Sequence, residues 1–157
     1  MVYAEHVRDS LDHAYGCKSS TLEAVGLLLP FLCIPQLLVN KSVLLLTDNE
    51  ALTYGWDSKK IRHDVSASIF IRALHIITFY LGCHVHVQHI PRNSTFLATI
   101  ADGLTRDSSR TPEVLSHLTG VAPFGPPEVL WRWLQDPRED WQLAFRLLDS
   151  VKAKINL

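Results

Sequence analysis

Lys41-Ser42-Val43-Leu44-Leu45-Leu46-Thr47-Asp48-Asn49 is the stretch that decides the fold. Its centre is a short continuous apolar run bounded by polar residues, the pattern of a strand buried on both faces of a helix-covered sheet. It ends at Asp48-Asn49, where Asp48 can cap a following helix. Downstream, a short helical stretch runs through Ala51 and Trp56 to a basic turn of Lys59, Lys60, Arg62 and His63. Asp64 is placed to cap the next helix, in which Val65, Ile69, Ala73, Ile76, Ile77 and Tyr80 recur at helical spacing and which Gly82 closes. His84-Val85-His86-Val87-Gln88-His89 then alternates polar with apolar, the period of a strand with one wet face, until Pro91 stops it. A loop through Arg92, Asn93 and Ser94 leads to a further helix over 96–104 that carries Ala101-Asp102.

Upstream of the decisive run, Ser20 with Glu23 three residues on, followed by Val25, Leu27, Leu28 and Leu29, reads as a capping box opening a helix that Pro30 and Pro35 kink or end. Residues 1–18 are polar and read as frayed helix or the remnant of a strand. From Ser20 onward the order is helix, strand, helix, helix, strand, helix, which implies an α/β sheet domain. Beyond Arg106 the chain turns rich in Ser, Thr, Pro and Gly. Thr111-Pro112 and Asp136-Pro137 each look like a cap followed by proline at the first helical position, with Glu139 placed for a capping box. Trp141, Ala144, Phe145, Leu148, Val151 and Ile155 form one apolar stripe expected to pack on the sheet domain or on a partner. The expected organisation is a polar segment 1–18, a core 19–108 and a helical C-terminal extension 109–157.

Composition narrows the function less than the pattern does. Hydrophobic residues at 47% of 157 suffice for a real core. A formal charge of -1, from 15 basic and 16 acidic side chains, supplies no global attraction to nucleic acid, so such binding must come from a local basic patch. Cys17, Cys33 and Cys83 are odd in number and far apart, with no secretory leader ahead of them, which suits a reduced intracellular protein of cytoplasm or nucleus. Pro30, Pro35, Gln36, Arg72 and His75 interrupt the longest apolar runs and argue against a bilayer span.

The chemistry lies in where the acids fall. Glu23 begins a helix, Asp48 ends the decisive strand, and Asp102 sits in a late helix. Ligands of open α/β sheets gather at the carboxyl ends of strands, and two divalent metals bridging a phosphate need carboxylates converging from several elements. The plain alternatives are that Glu23 completes a capping box with Ser20, that Asp48 caps the next helix, and that Asp102 is solvated.

Three segments also match a family in order and in similar intervals. Thr21-Leu22-Glu23-Ala24, Leu46-Thr47-Asp48-Asn49 and Ala101-Asp102-Gly103-Leu104-Thr105-Arg106 resemble the successive acidic motifs of ribonuclease H domains of retroelement reverse transcriptases, and His89-Ile90-Pro91-Arg92 resembles that family's strand-ending segment. The likeness covers about Ser19 to Ser108. It implies a ribonuclease H-like mixed sheet flanked by helices, and cleavage of the RNA strand of an RNA–DNA hybrid with two magnesium or manganese ions. Glu23, Asp48 and Asp102 would be the metal ligands and catalytic acids. Asn49, Lys59, Lys60, Arg62 and Arg92 would touch the nucleic acid, and the polymerase domain of the same polyprotein would be a neighbour. The family's first aspartate lies on a strand well upstream of the helix-start glutamate. Only 22 residues precede Glu23, and Asp9 and Asp12 sit in no apolar strand pattern, so the first strands are expected to be missing. A remnant that binds nucleic acid or protein without cutting is the alternative function.

The remaining polar and aromatic residues read plainly. The strand period puts His84 and His86 on one face and His89 on the other, so they form no convergent metal triad. Trp131, Trp133 and Trp141 read as core, and Cys83 at the start of a strand lacks the neighbours of a catalytic thiol.

Overall fold

The computed structural model describes residues 19–92 and 127–156. The described chain is mixed α/β. Helix α1 spans Ser19–Cys33 and the short α2 Pro35–Leu38; strand β1 is Ser42–Thr47; α3 is Glu50–Ser58 and α4 Val65–Leu81; β2 is His84–His89; α5 is Glu128–Gln135 and α6 Leu143–Ile155. β1 and β2 pair in parallel, Ser42 opposite His84 through to Thr47 opposite His89. Parallel neighbours need a crossover, which α3 and α4 supply.

Caps fix the ends of that crossover. Asn49 accepts from the Leu52 amide at 3.3 Å and opens α3, which ends at Lys59 in the left-handed region. Asp64 accepts from the Ala67 amide at 2.9 Å and opens α4, which ends at Gly82 with φ 67°. At Gly82 a β-carbon would stand 2.3 Å from Asn40 Oδ1, so both the backbone and the space require glycine. The basic turn lies where the sequence places it, with Lys59 and His63 both at positive φ and Lys59, Lys60, Arg62 and His63 exposed.

Four expectations need correction. Pro30 does not end its helix: α1 runs through it to Cys33, held by Leu27, Leu28, Leu29, Phe31 and Leu32 on both sides of the break, all in the core. Pro35 starts a helix instead, its fixed φ suiting the first turn. β1 is not buried on both faces. Leu45 and Thr47 point into the protein, whereas Leu44 is 55% and Leu46 40% exposed, on the face shared with exposed His84, His86 and Gln88. A continuous apolar run cannot tell whether a second layer covers the sheet, and over this face no described element lies.

The fourth correction concerns the tail. Asp136 ends α5 instead of capping a helix, and α6 begins at Leu143. The buried face of α6 is Leu143, Ala144, Leu147 and Val151, which leaves Trp141 and Phe145 exposed. The two tail helices nonetheless share one core with the rest. α6 packs along α4, and Trp133 meets Phe70 edge to face at 4.9 Å. Lys154 Nζ donates to the Leu32 carbonyl at 2.7 Å, satisfying an orphan acceptor at the end of α1. The helix expected over 96–104, Thr111-Pro112 and the segment 1–18 lie outside the described residues. No helix among the described residues is long and apolar enough to cross a membrane.

Candidate metal and nucleic-acid site

At the carboxyl end of the parallel pair, β1 delivers Thr47, Asp48 and Asn49, while α1 lays its first turns alongside and brings Glu23 to them. What aligns α1 is a buried acid. Asp64, 6% exposed, accepts from Ser20 Oγ at 2.6 Å and from Thr21 Oγ1 at 2.9 and 3.0 Å, besides capping α4. Ser20 already lies inside α1 and its hydroxyl donates across the fold to Asp64, so Ser20 is not the cap that a capping box with Glu23 requires. The N-terminal ends of α1 and α4 are bolted together, and Glu23 follows one turn after the bolt.

Glu23 is half-buried, with the side chains of Asn49 and Thr47 near enough to favour its charged form. Which group each neighbour can turn toward the carboxylate follows from what it already does. Asn49 Oδ1 accepts from Leu52, so its Nδ2 is the group left to face the carboxylate. Thr47 Oγ1 accepts the Asn49 amide at 3.1 Å, so its hydroxyl proton is left for Glu23. Burial pushes the Glu23 carboxyl above its ordinary range; the Asn49 side chain opposes this, the Asp48 charge adds to it, and Arg92 and Thr47 lower it. The mutual repulsion places Asp48 within electrostatic reach of Glu23. Asp48 is more open, and its Oδ2 accepts from Arg92 Nε at 3.0 Å.

Of the acids expected to converge, Glu23 and Asp48 lie near enough to act on each other's charge, while Asp102 lies outside the described residues. Among the described residues no group of three or more His, Cys, Asp or Glu surrounds a common point. Asn49 and Arg92, expected to touch nucleic acid, belong to this cluster. Lys59, Lys60 and Arg62 stand at the far end of α3, roughly 14 Å away at 1.5 Å per residue. The turn is tied to α4 through Arg72, whose Nε donates to the Lys59 carbonyl at 3.4 Å and whose guanidinium lies 4.7 Å over the Trp141 ring. Trp56 and His75 stack nearby at 3.7 Å, and burial holds the His75 ring below its usual pKa although His75 Nε2 lies 2.7 Å from the Trp56 carbonyl.

Two contributors were not singled out in the sequence. Thr47 carries a signal, being the polar residue that takes the buried face after Leu45. Asp64 reads only as a cap, because its bonds to Ser20 and Thr21 span more than forty positions. Comparison with protein-family models, with curated proteins and with solved structures finds no match to this chain.

Proposed function

We propose that this chain supplies metal-liganding carboxylates to a ribonuclease H-like nuclease of the retroelement type, which cuts the RNA strand of RNA–DNA hybrids. The observation that supports this reading is that Glu23 of α1 and Asp48 at the carboxyl end of β1, carried by two different elements, lie within electrostatic reach of each other. The donor set fits magnesium or manganese: oxygen ligands only, and two like charges within electrostatic reach of each other with the polar side chains of Thr47 and Asn49 beside one of them. A divalent ion bound there would polarise the phosphate and acidify water. The residues' own part is positional. Thr47 and Asn49 would hold Glu23 in one orientation, Asp64 fixes the helix that carries it, and Asp48 presents the more open carboxylate. Asp102 is the third ligand that the sequence resemblance implies, and further coordination would come from the hybrid and from the family's first aspartate where that is supplied. Lys59, Lys60 and Arg62 would add sequence-independent, salt-sensitive contacts to the phosphate backbone.

A second reading, a ribonuclease H-like remnant that binds nucleic acid or protein without cutting, is favoured by one observation: the Arg92 guanidinium sits on Asp48. Calorimetric titration with magnesium or manganese separates the two. The nuclease reading expects saturable binding that Asp48→Asn removes, together with metal-dependent cutting of a hybrid once the polymerase domain is present. Absence of binding at millimolar metal refutes it and leaves the remnant.

A further inference from the structure

Arg92 stands just past β2, at the same end of the sheet as the acid pair, and its bond to Asp48 joins residues 44 positions apart. It is therefore a tertiary contact between the segments that leave the two strands, unlike the local Arg132–Glu128 pair one turn apart on α5. Its guanidinium also favours the charged form of Glu23. One side chain thus bears on both carboxylates, bonded to Asp48 and within electrostatic reach of Glu23. The contact is wet, with the Arg92 side chain 58% and the Asp48 side chain 34% exposed. Ion pairs of that exposure are weak and readily exchanged.

We infer that Arg92 is a built-in counter-ion of the Glu23–Asp48 pair, seated on Asp48 while no metal is present and displaced from it when a divalent cation binds. The inference rests on the metal-site reading above. Electrostatics supports it: two cations a few ångströms apart repel even in water, so a divalent ion on Asp48 weakens the hold of the exposed Arg92 guanidinium on the same carboxylate. Arg92 thereby lowers the cost of the empty site and sets the metal concentration at which it fills.

The test is a manganese titration of the full chain by calorimetry, on the wild type, Arg92→Gln and Arg92→Lys, with the Arg92 Nε–H resonance followed by NMR. Arg92→Gln is expected to bind roughly two- to fivefold more tightly, the range open to an exposed ion pair, since tenfold corresponds to 1.4 kcal/mol. Arg92→Lys, which keeps the charge, should remain within about twofold of wild type on the same scale. In the wild type the Nε–H signal should shift on adding magnesium, and that shift should vanish in Asp48→Asn. Equal or weaker binding by Arg92→Gln, with wild-type binding intact, overturns the counter-ion role and leaves the metal site standing. Failure of every variant to bind metal overturns both.

Discussion

Replacing Asp64 with alanine removes more than a helix cap. The carboxylate accepts from the Ala67 amide, from the buried Thr21 hydroxyl and from Ser20. Loss of the cap costs about 1 kcal/mol. Thr21 is 1% exposed, so its hydroxyl would be left dry and unpaired, at about 1–3 kcal/mol. Ser20 is half-exposed and can turn to water, adding little. The sum is about 2–4 kcal/mol, a large share of the ~5–15 kcal/mol that holds an ordinary domain together. At 2–4 °C per kcal/mol for a chain of this size, the thermal midpoint should fall by roughly 5–15 °C. Asp64→Asn keeps a good cap and an acceptor for Thr21, and should cost about 1 kcal/mol. Urea unfolding followed by circular dichroism measures both. Because Glu23 rides on the helix end that Asp64 holds, the alanine variant should also lose metal affinity without touching a ligand. A loss of stability below 0.5 kcal/mol for Asp64→Ala would refute the view that this acid aligns α1 with α4.

Three other outcomes follow from the same contacts. Glu23→Gln removes a partly desolvated charge beside Asp48 and should raise the melting temperature at pH 7 while abolishing metal binding; a lower melting temperature contradicts the repulsion described. Its pH signature has a definite sign: the folded Glu23 carboxyl holds its proton to higher pH than the unfolded one, so wild-type stability should fall as pH rises above about 4.5, where an unperturbed glutamate ionises, until the folded group has ionised. The Glu23→Gln variant should lack that component in matched melts. His75 shifts the opposite way, so its NMR titration midpoint should lie below about 6.5, and its contribution to stability should be lost as pH falls through that value and the unfolded ring protonates. Finally, Leu45→Ala should cost about 2–5 kcal/mol, whereas Leu44→Thr on the open face should stay within about 0.5 kcal/mol. Similar costs at the two positions would restore the doubly buried strand.

Those strand residues also mark what the sequence could and could not reveal. Local chemistry was legible: Asp64 opens α4 through its carboxylate, Gly82 closes it because it lacks a side chain, and the alternation of His84 to His89 gives β2 with its wet face. Long-range placement was not. Nothing in Val43 to Leu46 says whether one or two layers cover a sheet, and Ser20 with Glu23 matches a capping box whether or not the hydroxyl is committed elsewhere. Pro30 looks like a terminator because a helix interior disfavours it, yet the core packing on either side outweighs the lost bond. In the site, strand-end logic placed Asp48 at the end of β1, while the nearness of Thr47 to Glu23 appears only in the fold.

Manganese added in substoichiometric amounts to labelled protein tests the metal site most directly, because paramagnetic broadening reports distance from the ion without requiring activity. The amides of Glu23, Thr47, Asp48 and Asn49 should broaden first, with those of Lys59 to His63 little affected, and a Glu23→Gln, Asp48→Asn double variant should lose the pattern. Uniform broadening, broadening centred elsewhere, or a pattern that survives in the double variant would contradict a metal site built on Glu23 and Asp48.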